Sequence, residues 1–96
     1  MFIDMKKFSA AANTAPETAY EFFKAMTVFE QARRQANRHG VDMSDALLVA
    51  ANKAFGRLRA VEKAAGIATV GYLSDENMVD ALDEVLSWAE ENASSM

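Results

Sequence analysis

The sequence predicts an all-α fold, a small bundle of three main amphipathic helices over about 15–39, 44–65 and 74–92. Two observations carry this expectation. Nineteen of the 96 residues are alanine, against four glycines and one proline, and alanine has the highest intrinsic helix propensity. Apolar residues recur at helical spacing in three stretches, and no segment alternates apolar and polar residues for long enough to make a strand. No repeat at a fixed period suggests a solenoid. With 51% hydrophobic and 25% charged residues, the chain has globular composition and the size of a single domain spanning 1–96.

Each element has a local justification. Residues 1–13 contain Phe2, Ile3, Met5 and Phe8, apolar side chains that call for a packing surface, on either an extended arm or a short helix. Thr14-Ala-Pro-Glu17 matches a capping box, so the first long helix is expected to open with Thr14 as its cap. Pro16 is tolerated in that first turn, where amides have no intrahelical partner. Ala19, Phe22, Met26, Phe29 and Ala36 then form an apolar stripe, and Gly40, after Arg38 and His39, gives the stop.

The second helix is expected to start at Asp42 or Ser44 and to end at Gly66. Leu47, Ala51, Ala54, Phe55, Leu58, Val61 and Ala65 share one broad face, and alanines at 50, 51 and 54 invite close approach of another helix. Gly56 falls mid-helix on the polar side, as a tight backbone contact or a slight kink. Ile67 to Leu73 make an apolar connector rather than a solvated linker. Ser74 caps the third helix, with Asp75 and Glu76 in the first turn where negative charge is favoured. Its core stripe is Met78, Val79, Leu82, Val85, Leu86 and Ala89, with Trp88 at the margin.

An antiparallel bundle is the default for such helices. Phe2, Phe8, Tyr20, Phe23, Leu48, Val70, Tyr72 and Trp88, however, exceed what one inner face of three helices holds. Dimerisation, with a second copy completing a long helical hairpin, would account for the surplus.

Function is read from surfaces, because no catalytic motif stands out. The lone histidine, His39, has no readable nucleophile or carboxylate partner and is explained by its place at a helix end. Absence of cysteine excludes disulfides, thiolate nucleophiles and cysteine-based metal sites. Neither a calcium loop nor a metal-binding pair with histidine is present, and Gly66 to Gly71 match no phosphate-cradling pattern. No cofactor or metal is expected. With no apolar run near membrane-spanning length and no signal-peptide pattern, the expected location is cytoplasmic.

Charge is strongly segregated. From Ile67 to Met96 there are seven acids (Asp75, Glu76, Asp80, Asp83, Glu84, Glu90, Glu91) and neither lysine nor arginine. Between Gln31 and Gly66, seven bases face only Asp42, Asp45 and Glu62. The expected function is therefore a non-catalytic protein-binding module. Asp80, Asp83, Glu84, Trp88 and Glu91 would dock on a basic, nucleic-acid-binding surface of a larger partner, the carboxylates imitating a run of phosphates. Short, acidic, cysteine-free chains of this format occur among phage-encoded inhibitors, an analogy of size and charge alone. Two alternatives stand beside it. One is an obligate homodimeric structural or regulatory subunit. The other is nucleic-acid binding through Arg33, Arg34, Arg38, Lys53, Arg57 and Arg59, which a net charge of −4 disfavours. Those bases would equally serve as ion-pair partners for the acids of the third helix, within the fold or across a dimer.

Overall fold

The computed structural model describes residues 2–40 and 44–94 and is helical, with no strand among them. Four helices follow one another: α1 (Met5–Thr14), α2 (Pro16–Arg38), α3 (Asp45–Ala65) and α4 (Asp75–Ser94). The three long helices fall where the sequence places them. The fourth is the N-terminal segment, which forms a ten-residue helix. Asp4 starts it, its carboxylate accepting the Lys7 amide at 3.1 Å.

The capping box at Thr14 is not formed. Thr14 is the last residue of α1, and its hydroxyl donates to the Ala10 carbonyl at 2.8 Å. Ala15 alone joins the two helices. Its N–H donates to Ala11 and its carbonyl accepts from Ala19, both at 2.9 Å. A hinge of one residue leaves Thr14 inside α1, with no freedom to act as the extended cap of α2. Pro16 at the first position makes that loss tolerable, since its missing N–H would have had no helical partner.

Other ends follow the sequence reading. Gly40 and Gly66 lie in the left-handed region, at φ 67° and 71°, and Gly66 returns its N–H to Glu62 at 2.8 Å. Ser44 caps α3 by accepting the Leu47 amide at 3.1 Å; the alternative start at Asp42 lies outside the described residues. Ser74 accepts the Asn77 amide at the head of α4. Gly56 makes no tight contact: a Cβ there would meet nothing within 4 Å.

α2 and α3 form the main hairpin, α4 packs chiefly on α3, and α1 bridges α2 and α3. The radius of gyration is 12.9 Å, that of a compact domain of this length, for which about 12.5 Å is expected. Phe8, Phe22, Phe29, Leu47, Leu58, Val61, Leu82 and Val85 are fully enclosed. Phe8 explains why α1 exists. Its ring meets Phe22, Phe23 and Trp88 edge-on, with centroids 5.4–6.0 Å apart, the geometry aromatic quadrupoles favour. Part of the apparent surplus of large side chains is thus absorbed by a fourth helix. Phe8 is buried, while Phe23, Leu48, Val70 and Trp88 are half-buried. Phe2, Tyr20 and Tyr72 remain exposed, together with Val28 and Val49. No described helix is long and apolar enough to cross a membrane.

Candidate partner-binding surface

On α4, residues 76, 80, 84, 87 and 91 fall within an arc of about 80° at 100° per residue. Glu76, Asp80, Glu84 and Glu91 therefore form one line of carboxylates on the side away from Val79, Leu82 and Val85, some 22 Å long at the helical rise. Asp80 and Glu91 are exposed, and neither has an ion-pair partner among the described residues. The other expected acids are already engaged. Glu84 accepts the amides of Phe2, at 2.9 and 3.0 Å, and of Ile3, at 3.1 Å, tying the start of the chain to α4. A carboxylate has about four acceptor sites, so Glu84 keeps capacity for an external donor.

Asp83 flanks this line on the side nearer α2, where Arg33 pairs with it at 3.3 Å. Burial pushes its carboxyl up; Arg33 pulls it down and Asp80 adds to the rise, leaving it above the ordinary aspartate value. Trp88 packs its ring against Phe8 and lines two grooves. One, of about 390 Å³, is formed with Met5, Glu84, Ser87 and Glu91. The other, of about 380 Å³, is formed on the α1–α2 side with Pro16, Tyr20 and Phe23 among others. Three of the five expected partner-binding residues, Glu84, Trp88 and Glu91, therefore meet around one groove. Asp80 stands a turn away on the same line, and Asp83 is paired with Arg33 outside the groove lining.

The basic residues do not form one surface. Arg33 is held by Asp83 and Arg34 by Glu30 at 2.5 Å, and Arg38 is exposed at the end of α2. Arg59 is committed to the fold. Its guanidinium donates to Glu62 at 2.7 Å, Val70 carbonyl at 2.9 Å and Gly71 carbonyl at 2.6 Å, and it lies over the Phe55 ring. Lys53 and Arg57 remain available, lining a groove of about 380 Å³ between α2 and α3 with Glu21, Lys24, Ala25 and Val28.

Two residues were not assigned to a site from the sequence. Met5 supplies an apolar wall of the α4 groove, and only the α1 fold puts it there. Among the described residues Glu62 is the only buried acid, and it organises the connector. It accepts Thr69 N–H at 2.5 Å, Thr69 hydroxyl at 3.0 Å and Val70 N–H at 3.3 Å, while the Thr69 carbonyl takes the Asp4 amide at 2.9 Å. Burial alone would raise its carboxyl, but these donors and Arg59 outweigh burial and hold it below the ordinary glutamate value. A carboxylate beside Val61, on the stripe of Leu58 and Ala65, was the available signal: an acid there demands donors.

No group of three or more histidine or acidic side chains could hold a metal ion among the described residues. Comparison with protein-family models, with curated proteins and with solved structures finds no match.

Proposed function

We propose that this chain is a non-catalytic protein-binding module that takes a basic, amphipathic segment of a partner on the outer side of α4. The observation that carries the reading is the carboxylate line of Glu76, Asp80, Glu84 and Glu91 running beside an apolar groove walled by Met5 and Trp88. Opposite charge steers the encounter, and desolvation of an apolar anchor in the groove supplies affinity. A nucleic-acid-binding protein has a surface of the required sign, and covering it would inhibit it. Direct binding of nucleic acid by α3 is the weaker reading, because Arg59 is bound to the chain's own carbonyls and cannot reach a phosphate without releasing them.

The test is a backbone-amide NMR titration with a helical peptide carrying lysine and arginine on one face and leucine on the other. Shifts are expected at residues 80–91 and at Met5, weakening as salt rises and lost in Asp80→Lys/Glu91→Lys. Shifts confined to the α2–α3 side, or none at all, would sink the proposal.

A further inference from the structure

A second face of this chain complements the first. Between α2 and α3, Lys24, Lys53 and Arg57 border a groove that contains Val28, and Val49 lies one turn before Lys53. Val28 and Val49 are 52% and 68% exposed. Lys24 is partly occupied, by Glu21 at 3.3 Å and by the Tyr20 ring. Lys53 and Arg57 have no ion-pair partner among the described residues. They stand four residues apart, as do Asp80 and Glu84, so both pairs have the same axial spacing of about 6 Å. Apolar knobs between bases on one face thus match an apolar groove beside acids on the other.

We infer that the α2–α3 face of one copy docks on the α4 face of a second copy, Lys53 and Arg57 meeting Asp80 and Glu84, and Val28 or Val49 entering the groove walled by Met5 and Trp88. The two faces are different surfaces of the chain, so the contact is head-to-tail and leaves one face of each kind free at the ends of any open assembly. A second copy fits better than a nucleic acid. It presents acids at the matching spacing with an apolar groove beside them, and a nucleic-acid backbone offers the negative charge without that groove. The inference rests on the α4 face assigned above and adds that the chain itself is one ligand of that face. Self-docking then competes with a foreign basic partner.

Sedimentation velocity on the full chain tests this with two double variants, Lys53→Glu/Arg57→Glu and Asp80→Lys/Glu91→Lys. All four positions are exposed, and circular dichroism melts check that both variants fold. The wild-type mass should rise with concentration and fall with salt. Each variant alone should be monomeric, with self-affinity weakened by about tenfold or more. Mixed, they should associate again, because the intact α4 face of the first meets the intact α2–α3 face of the second.

A wild type monomeric at every concentration overturns the inference, as does association that both variants retain, which would mark a symmetric apolar dimer. Duplex DNA bound by the wild type and lost in Lys53→Glu/Arg57→Glu, with no change in self-association, would give the groove to nucleic acid instead. The peptide titration separates the two proposals. Peptide shifts at α4 in a strictly monomeric protein leave the α4 reading standing. Salt-sensitive association without peptide shifts removes that reading and keeps self-docking.

Discussion

Glu62 and Asp83 each face an arginine, yet their surroundings push them in opposite directions. Glu62 is 9% exposed and accepts from Thr69 N–H, Thr69 hydroxyl and Val70 N–H as well as Arg59. Asp83 is less buried and has Arg33 at 3.3 Å, with Asp80 a turn behind it. Glu62 is held low and Asp83 is raised. The difference lies in the fixed donors around each carboxylate, since both have a guanidinium. Backbone amides oriented by the connector stabilise the anion of Glu62 at every moment, and α4 has no such donors to give Asp83. One acid is held by fixed amides of the connector; the other relies on an arginine reaching across from α2.

The largest effect that would break this comparison is at Glu62. Glu62→Ala strands Thr69 N–H, Val70 N–H and part of the Arg59 guanidinium, and should cost about 2–4 kcal/mol in urea unfolding. Glu62→Gln keeps one acceptor oxygen and should cost less, about 1–2 kcal/mol. If Glu62→Ala cost no more than Asp83→Ala, the claim that the connector's amides set the difference would fail.

The pH dependence follows from the same two directions. A carboxyl held low in the fold stabilises above its unfolded value and loses that contribution as pH falls through its folded value. Glu62 therefore contributes to acid unfolding. A raised carboxyl acts oppositely: the fold favours protonated Asp83, so acidification through its range adds stability. Urea midpoints measured from neutral pH into the acid range should fall less steeply for Glu62→Gln than for wild type. For Asp83→Asn they should fall more steeply. Reversal of either slope would refute the assignment.

What was legible in the sequence follows the same division. Periodic stripes and terminal glycines marked the three long helices because those signals are local. Thr14 misled because its capping pattern is also local, and the packing of Phe8 on Phe22, Phe23 and Trp88, which continues α1 through Thr14, is not. Met5 entered the α4 groove for that reason too. The acids of α4 were legible as a charge run. That Asp83 pairs with Arg33 and Glu84 holds two N-terminal amides depends on elements far away in sequence, and the tie between Arg59 and the connector depends on how the connector folds back. Charge sign was readable; charge engagement was not.

A backbone pair sharpens the contrast between a position the fold uses and one it leaves idle. Gly66 closes α3 at φ 71°, where a side chain is strained, and Gly66→Ala should cost about 1 kcal/mol. Gly56 is exposed within α3 with open space around it, and Gly56→Ala should gain about 0.5–1 kcal/mol. Thermal unfolding of both variants decides it. A loss at Gly56 would mean that this surface carries a close contact, and the α2–α3 face would need redrawing around it.

The smallest expected effect isolates the α4 face itself. Asp80→Asn removes a charge that has no ion-pair partner among the described residues and one that raises Asp83, so stability should change by less than about 0.5 kcal/mol. The Asp83 carboxyl, followed by carbon-detected NMR titration, should move down toward the ordinary aspartate value. Burial and Arg33, which oppose each other at this carboxyl, are untouched, so the fall reads the Asp80 contribution alone. A large fall would mean that the two carboxylates are strongly coupled across one helical turn. Asp83 would then belong electrostatically to the exposed line of acids, and the surface offered to a partner would be one carboxylate wider than the fold alone implies.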